Sequence, residues 1–257
     1  MPRRVVLLAG GGESTNIVYH YLSARFGEVV AVKEDAVSRV ELARRRAKRL
    51  GWPKVAGQIL FVTAAMPLIS RRAQGRTSEI LSEEGFDTSP IPDALQVESV
   101  NSPETVRILQ DLEPEVVVVN GTRIIAQRVL ESVRCPFLNT HAGITPRYRG
   151  VHGGYWALRE GKPELTGTTV HLVDPGIDTG RVVGQAVFES GSRDNIATYP
   201  YLHLACGLPL LARAVQQVLD GHELETVASL DYSGVTELRW HPTVWSYIAG
   251  YVAKGVK

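Results

Sequence analysis

The stretch "RVVLLAGGGESTNIVYHYLSARF", Arg4 to Phe26, places a short apolar run, three glycines and a helical pattern in direct succession. The run from Arg4 to Ala9 is typical of a fully buried strand, and the glycines end it. Ser14 and Thr15 are good N-cap residues, so a helix is expected to follow the loop. A strand, a glycine loop and a helix in this order predict the first unit of a layered α/β fold.

Three more apolar strands alternate with helical patterns further along the chain. They are "EVVAVK" (Glu28–Lys33), "EVVVVN" (Glu115–Asn120) and "FLNTH" (Phe137–His141). Continuous apolar strands that alternate with helices predict an α/β, Rossmann-like and mostly parallel sheet with helices on both faces. Ligands of such sheets bind at the carboxyl ends of the strands. The glycine loop, "NGT" and "NTHAG" all fall at those ends, so we expect the functional site there.

The remaining segments suggest a catalytic domain over residues 1–221 and a C-terminal extension over 222–257. The segment 52–95 contains four prolines among apolar runs and arginines, and we interpret it as an insertion of loops and short helices. "RIIAQRVLESV" (Arg123–Val133) is predicted to be a helix. The extension is expected to contain a hairpin followed by an aromatic-rich segment.

Composition excludes several classes of protein. The chain has 257 residues, 44% hydrophobic and 21% charged, with a formal net charge of +1, which predicts no nucleic-acid or membrane-surface partner. The arginine-rich helix after the second strand is better explained as a solvated basic face than as an RNA contact. Cys135 and Cys206 do not form a metal-binding motif. Because no signal peptide and no apolar run of membrane-spanning length are found, we expect a reduced, cytoplasmic protein without a metal.

Asn139 and His141 are two residues apart at the end of a predicted strand, so their side chains should face the same space. A catalytic role would need a third group, and Asp178 in the turn "DPGIDTG" is the best candidate. An aspartate in a glycine-flanked turn is usually only turn chemistry. The single residues therefore leave the function open.

The motifs taken together are more specific. "LNTHAGITPRYRG" (138–150) and "TGTTVHLVDPGIDTGRVVGQ" (166–185) resemble the formyltransferase family that uses N10-formyltetrahydrofolate as co-substrate. The resemblance covers most of residues 4–50 and 102–221, and implies the formyltransferase fold. It also implies that Asn139, His141 and Asp178 are the catalytic residues.

Those residue types suit formyl transfer, in which negative charge develops on the formyl oxygen. The Asn139 amide and a protonated His141 would be preorganised donors to that oxygen. His141 would also give a proton to the departing folate nitrogen, and Asp178 would hold the imidazole while helping to remove the proton of the attacking amine.

The resemblance further implies which residues hold the two substrates. The folate is expected against two loops, formed by Gly121, Thr122, Arg123, Ile124, Ile125, Val173, Asp174, Gly176 and Ile177. The acceptor is expected near Gly12, Ser14, Thr15, Asn16, His152 and His171. Helix starts of this kind bind phosphate, although Glu13 would repel a phosphate unless its carboxylate turned away.

Several acceptors stay open. We favour the primary amine of a small molecule, an amino sugar nucleotide or another specialised metabolite, with phosphoribosylglycinamide formyltransferase activity as the nearest alternative. The segment 52–95, the extension, Asn195 and the Gly143–Ile144 replacement of the family serine all depart from the purine enzyme. Formyltetrahydrofolate hydrolysis and a non-catalytic nucleotide-binding module are further alternatives. A methionyl-tRNA enzyme is less favoured because its tRNA-binding domain needs more than the 36 residues after Gly221.

The C-terminal extension concentrates aromatic residues, among them Trp240, Trp245, Tyr247 and Tyr251. Such a density of aromatic side chains rarely stays in solvent. The extension therefore packs on the chain's own core, forms a subunit interface or makes a wall of the acceptor pocket. Between the two functional options we favour the interface, which leaves a homodimer open.

Overall fold

The computed structural model describes residues 5–257, without the side chain of residue 39. A seven-stranded sheet runs through it in the order β3-β2-β1-β4-β5-β7-β8. Its strands are β1 (Val5–Ala9), β2 (Val29–Glu34), β3 (Leu95–Val97), β4 (Val116–Asn120), β5 (Phe137–His141), β7 (Gly167–Leu172) and β8 (Val182–Val187). The short strands β6 (Tyr148–Gly150) and β9 (Glu237–Arg239) form a second, two-stranded sheet.

Helices cover both faces of the large sheet. They are α1 (Glu13–Phe26), α2 (Arg39–Leu50), α3 (Trp52–Leu60), α4 (Met66–Glu83), α5 (Pro103–Leu112), α6 (Gln127–Leu130), α7 (Gly153–Arg159), α8 (Tyr199–Leu219) and α9 (Val244–Lys254). One core cluster joins α1 and α8 to one face of the sheet, and a second joins α5 to the other face. The predicted α/β sheet, mostly parallel with helices on both faces, is therefore confirmed.

The pairing of the strands positions the site. Strands β1 to β5 are parallel, while β7 and β8 run antiparallel to their neighbours. The carboxyl ends of β1, β4 and β5 therefore meet at one edge, where Ala9 pairs with Asn120 and Val119 pairs with Asn139. The antiparallel register of β7 sets His171 directly opposite Asn139. Neighbouring strand ends and one antiparallel pair thus gather polar side chains at a single edge.

The predicted strands agree with the structure to within a residue at their ends, as assignments commonly do. Arg4, which the sequence prediction placed in the first strand, lies outside the described residues. All five residues of β1 are buried, as the apolar run predicted. The short strand β3 was missed because it has only three residues.

The segment 52–95 is not the set of loops and short helices that we predicted. Helical structure runs from Trp52 to Glu83, with a π-helical turn at Phe61–Ala65 between α3 and α4. Pro53 and Pro67 both stand in first-turn positions. Proline is tolerated there because the first amides of a helical segment have no intrahelical acceptor. The hydrogen bonds of the π-turn end before those of α4 begin, so the missing N–H of Pro67 does not break the helix.

The helix predicted over Arg123–Val133 is wrong for most of its length, since only Gln127–Leu130 is helical. Side chains from other segments bind the backbone before it. The Glu34 carboxylate accepts the Arg123 N–H at 2.6 Å, and the Asn101 side chain accepts the Ala126 N–H at 2.6 Å. These hydrogen bonds keep the backbone of the loop after β4 in a non-helical conformation.

The hairpin predicted in the C-terminal extension is also wrong. Strand β9 pairs in parallel with β6, which lies almost ninety residues earlier in the chain. Thr243 then caps α9 by accepting the Ser246 N–H at 3.1 Å. The extension therefore returns to the segment that directly follows β5.

Two described helices are long and apolar enough to cross a membrane by length and composition, Trp52–Glu83 and Tyr199–Leu219. The sequence prediction missed them because it counted only uninterrupted apolar runs. Core helices of globular proteins meet the same criteria, and α8 packs on the sheet with half of its apolar window buried. In the window of Trp52–Glu83 only 22% of the residues are buried.

Candidate active site

The end of β5 brings four polar side chains together, which we call the strand-end cluster: Asn139, His141, His171 and Asp178. His141 and His171 are almost fully buried, and the side chain of Asp178 is 14% exposed. His141 Nδ1 lies 3.3 Å from Asp178 Oδ2, and His171 Nε2 lies 3.8 Å from Asp178 Oδ1. The Asn139 amide nitrogen is 3.1 Å from His171 Nε2. The three residues proposed as catalytic are thus brought together, and His171 joins them.

Asp178 owes its position to the loop between β7 and β8. The Asp174 carboxylate accepts from the Gly176 N–H at 3.0 Å and from the Thr179 hydroxyl at 2.7 Å, which shapes this turn. Asp178 has a φ of 51°, an unusual value for a residue other than glycine. Its Oδ2 accepts the Gly150 N–H at 2.9 Å. Backbone strain of this kind is commonly found at functional sites.

The Asp178 carboxyl is held in its ionised form. Burial alone would raise its pKa, but the charge of His141, the His171 ring and the Gly150 N–H together lower the pKa to about 2. At neutral pH the cluster therefore contains a buried carboxylate directed at His141.

Both ring nitrogens of His141 have partners. Nε2 donates to the Tyr148 carbonyl oxygen at 2.7 Å, and Nδ1 faces Asp178. Burial lowers the pKa of His141, while the Asp178 carboxylate and the Tyr148 carbonyl act in the opposite direction. A protonated ring would have an acceptor at each nitrogen, so this imidazole is equipped to hold and release a proton.

The orientation of Asn139 follows from His171. The His171 Nδ1 lies 2.8 Å from the Leu172 carbonyl, so this nitrogen donates and Nε2 accepts from the Asn139 amide. Only one of the two Asn139 N–H groups is used in this bond. The amide therefore keeps a donor for a ligand, in a side chain whose orientation is fixed.

The cluster opens into a cavity of about 420 Å³, which we call the active cavity. Loop residues 121–125 and 173–177 form two of its walls. All nine residues predicted to hold the folate line it, namely Gly121, Thr122, Arg123, Ile124, Ile125, Val173, Asp174, Gly176 and Ile177. The size is typical of a small-molecule site.

The loop after β4 is rigidly supported. Glu34 accepts the Arg123 N–H and lies 3.5 Å from its guanidinium, which also donates to the Asp35 and Glu98 carbonyls. Gly10 approaches this loop so closely that a Cβ atom there would lie 2.0 Å from the Gly121 carbonyl oxygen. Arg123 thus contributes its backbone to the cavity while its charge is used within the fold.

The glycine loop lies beside this wall, and its side chains bind other parts of the chain. The Thr15 hydroxyl donates to Asn120 at 2.9 Å, and the Asn16 amide donates to the Thr88 carbonyl at 3.0 Å. The Glu13 carboxylate is exposed and accepts from the Tyr201 hydroxyl at 3.2 Å. Gly12 and Ser14 are at the start of α1, and none of these residues lines the active cavity.

His152, predicted to bind the acceptor, does not line the active cavity. Its Nε2 lies 2.9 Å from His241 Nδ1, and we call these two residues the imidazole pair. Burial lowers the pKa of His152 to about 3 and that of His241 to about 4. The structure therefore brings His171, but not His152, into the active cavity.

One wall of the active cavity was predicted only in part, since the sequence left a pocket wall open as one of three roles of the C-terminal extension; it is formed by Arg46, Leu238, Arg239 and Trp240. The last three belong to the C-terminal extension, whose aromatic density was the only available signal. A larger cavity of about 660 Å³ lies on the other side of Arg239 and Trp240, with Trp156 and Trp245 in its lining. The extension therefore separates two cavities.

Gly143 stands where the family motif has a serine, and the space around it leaves no room for a side chain. A Cβ atom at this position would lie 2.3 Å from the Tyr148 carbonyl oxygen, the acceptor of the His141 ring. Among the residues that the structure describes, no group of three or more His, Cys, Asp or Glu side chains has an arrangement that could hold a metal ion.

Residues 55–199 match a protein-family model described as formyl transferase. A curated methionyl-tRNA formyltransferase from Syntrophomonas wolfei is 30% identical over 138 residues, which cover 53% of this chain and 44% of that protein. The chain thus aligns with less than half the length of this relative.

Two solved structures share the fold. An N-formyltransferase from Helicobacter canadensis, in complex with folinic acid and dTDP-3-aminofucose, has a TM-score of 0.52 at 14% identity and covers 93% of this chain and 71% of its own. Glycinamide ribonucleotide transformylase 1 from Symbiobacterium toebii has a TM-score of 0.54 at 21% identity and covers 86% and 89%. At these identities the likeness concerns the fold.

Proposed function

We propose that this chain, which belongs to the formyl transferase family, transfers a formyl group from N10-formyltetrahydrofolate to a primary amine of a small-molecule acceptor. The observation that carries the proposal is the 3.3 Å contact between His141 and Asp178 beside the Asn139 amide. In α/β folds, ligands bind at the carboxyl ends of the strands, and buried acid–base pairs there are candidate catalytic residues.

The active cavity fits the donor. When bound, N10-formyltetrahydrofolate supplies the activated formyl group. The two loops that line the cavity offer backbone groups and the apolar side chains of Ile124 and Val173 to a flat ring system. Ile124 is 51% exposed at this wall, which leaves apolar surface available to a ligand.

Asn139 would stabilise developing negative charge. Its unused N–H is a preorganised donor, since the other N–H is tied to His171. A donor that needs no reorganisation during the reaction stabilises an oxyanion more strongly than water does.

His141 and Asp178 would move the protons. The departing nitrogen needs a proton, and His141 is the buried group able to hold one between Asp178 and Tyr148. The attacking amine must lose a proton, and the ionised Asp178 carboxylate is the base that we assign to this step. The Gly150 N–H fixes this carboxylate, so that it accepts a proton without rearranging.

An amino sugar nucleotide, or a comparable specialised metabolite, is the acceptor class that we favour. The solved fold relative from Helicobacter canadensis binds dTDP-3-aminofucose together with folinic acid. The wall of Arg46, Arg239 and Trp240 adds an indole and cationic groups beside the strand-end cluster. Such a wall suits an acceptor with a ring and an anionic group.

Glycinamide ribonucleotide is the second candidate, because of Glu13. A carboxylate directed at the start of α1 would repel a phosphate, but that of Glu13 is exposed and bound to Tyr201. The helix start is therefore compatible with a phosphate.

The test is a screen with the purified protein and N10-formyltetrahydrofolate. Amino sugar nucleotides, glycinamide ribonucleotide and a sample without amine are incubated separately, and mass spectrometry detects products heavier by one formyl group. The D178N variant is the control for uncatalysed transfer. We expect a formylated amino sugar nucleotide, and tetrahydrofolate released in equal amount.

Three other outcomes would revise the proposal. Formylation of glycinamide ribonucleotide alone would favour the second candidate. Release of formate without an amine product would indicate hydrolysis of the donor. Wild-type protein that neither binds nor consumes the donor would refute formyl transfer altogether.

A further inference from the structure

Arg46 is a cation of the active cavity to which the proposed function assigns no catalytic step. It lies on α2, and its guanidinium is 5.8 Å from the ring centroid of Trp240, which lines the same cavity. The side chain is half-buried, and this burial lowers the pKa of Arg46. A guanidinium stays charged under these conditions, so the cavity contains a partly desolvated positive charge.

The other two cations of the cavity wall are neutralised within the fold. Arg123 lies 3.5 Å from the Glu34 carboxylate, and Arg239 forms ion pairs with Glu160 and Glu237. Arg46 has no carboxylate within 4 Å among residues 5–257 of the chain. Partly buried arginines usually have an anionic partner, because their desolvation is otherwise uncompensated.

A second arginine increases this deficit of negative charge. The guanidinium of Arg49 lies 5.7 Å from the same Trp240 ring. Two like charges around one indole repel each other, and the ring quadrupole compensates this only in part. An anion bound here would relieve that repulsion.

The C-terminal extension holds the indole in this place. The Trp240 carbonyl accepts from the Trp156 indole N–H at 3.2 Å, and the preceding strand β9 is paired with β6. Trp240 is therefore a fixed surface against which Arg46 is oriented, and the planar N–H groups of Arg46 remain for a ligand.

We propose that Arg46 is an anion-binding residue of the active cavity and that it binds a carboxylate or phosphate group of a ligand. The inference rests on the proposed function, because that function supplies two anionic ligands. One source is the glutamyl carboxylate of the folate, and the other is a phosphate of the acceptor. Guanidinium groups bind both in the same bidentate geometry.

The experiment is isothermal titration calorimetry on wild-type protein and the R46Q variant with three probes. These are 5-formyltetrahydrofolate, the uncharged primary amide of 5-formyltetrahydropteroate (called the pteroate below), which lacks the glutamyl group and carries no carboxylate, and inorganic pyrophosphate. R45Q is the matched control, since Arg45 is the next residue on α2, is exposed and is paired with Glu41. We expect R46Q to weaken binding of one anionic probe by roughly tenfold or more, and R45Q by less than about twofold.

The probes separate the two sources. If R46Q weakens 5-formyltetrahydrofolate but not the pteroate, Arg46 binds the glutamyl carboxylate. If R46Q weakens pyrophosphate, Arg46 binds a phosphate of the acceptor. In either case R46K, which keeps the charge, should recover part of the affinity, and the loss in R46Q should shrink at high salt.

Other results overturn the inference. The first is that R46Q binds all three probes with wild-type affinity. The second is that R46Q loses equal affinity for the folate and the pteroate without a loss for pyrophosphate. The last two are an equal loss of affinity in R45Q, and a wild-type protein that binds none of the probes.

The two proposals fail separately. Pyrophosphate binding that depends on Arg46 without folate binding refutes formyl transfer alone, whereas an active R46Q variant with wild-type affinities refutes the role of Arg46 alone.

Discussion

Two pairs of histidines contrast in this fold: a buried pair beside a carboxylate, and a half-buried pair with no carboxylate within 4 Å among the described residues. His141 and His171 share Asp178 at the end of β5, whereas the ring nitrogens of His152 and His241 are hydrogen-bonded to each other. Burial lowers the pKa of His152 to about 3 and that of His241 to about 4, so both rings stay neutral near pH 7. In the strand-end cluster, Asp178 opposes the same effect at His141.

The difference teaches how burial acts on an imidazole. Desolvation disfavours the charged ring, and at His141 a nearby carboxylate opposes this effect without reversing it. We therefore expect proton exchange in the strand-end cluster, while the imidazole pair connects the loop after β6 to the C-terminal extension. Four changes test this contrast, from the largest expected effect to the smallest.

Replacing Asp178 by Asn should have the largest effect. The amide keeps an oxygen for the Gly150 N–H, but it cannot balance a charged His141 or accept a proton from the amine. We expect kcat to fall roughly a thousandfold on the general acid–base scale. Steady-state formyl transfer to the amine found in the screen measures this.

The control is the D111N variant, at an exposed position of α5. Its kcat should stay within about twofold of wild type, because surface substitutions usually have small effects. Equal rates for D178N and wild type would remove the distinction between the two pairs.

Replacing Asn139 by Ala should lower kcat roughly a hundredfold, because one oxyanion donor is lost. The folate dissociation constant should change little, since the interaction is made mainly in the transition state. N139D is the matched variant, because it keeps the size of the side chain and removes the N–H donors. A fully active N139D would show that the amide serves only to orient His171.

Acid should destabilise the protein through the imidazole pair. The folded pKa values of His152 and His241 lie below the ordinary histidine value, so their stabilisation is complete above that value and is lost as pH falls toward 4 and 3. Between pH 7 and pH 5 the free energy of unfolding should fall by roughly 2 kcal/mol for each histidine, or up to about 4 kcal/mol in all, more in wild type than in the H152N/H241Q double variant.

Urea unfolding at the two pH values measures this difference. Asn is suitable at residue 152 because the backbone there has a φ of 60°, which Asn tolerates. H222Q, at an exposed histidine, is the control and should behave like wild type. An identical pH dependence in the double variant would mean that the pair is hydrated and not buried.

The smallest effect is expected in the glycine loop, which resembles the imidazole pair in being bound to distant residues. Asn16→Ala removes the hydrogen bond to the Thr88 carbonyl and should lower the free energy of unfolding by about 1 kcal/mol. Ser14→Ala, at the adjacent turn, should change it by less than about 0.5 kcal/mol. Unchanged stability in Asn16→Ala with a raised acceptor KM would instead assign this amide to the acceptor.

The sequence was informative where strand periodicity decides the geometry. Asn139 and His141 follow from alternation along β5, and the loop after β4 follows from the shared edge of parallel strands. The loop after β7, a strand antiparallel to β5, was expected at the site only because of the family resemblance. The helix predicted after Arg123 failed because Glu34 and Asn101, distant in sequence, take its amides.

Partners distant in sequence also explain the other misses. The contact of His152 with His241 and that of Arg46 with Trp240 depend on how the C-terminal extension returns to β6. Local patterns contain no information about such a return. The four prolines of segment 52–95 were interpreted as favouring loops and short helices, although Pro67 follows a π-turn and stands in the first turn of α4.

The most direct test of the central claim is a crystal structure of the protein with 5-formyltetrahydrofolate. We predict the pteridine between the loop at Gly121–Ile125 and the loop at Val173–Ile177. The formyl-bearing end should lie within hydrogen-bond reach, or one water, of the Asn139 amide and the Asp178 carboxylate. A folate bound elsewhere on the chain, or bound here with its formyl end directed away from these two groups, would contradict the account.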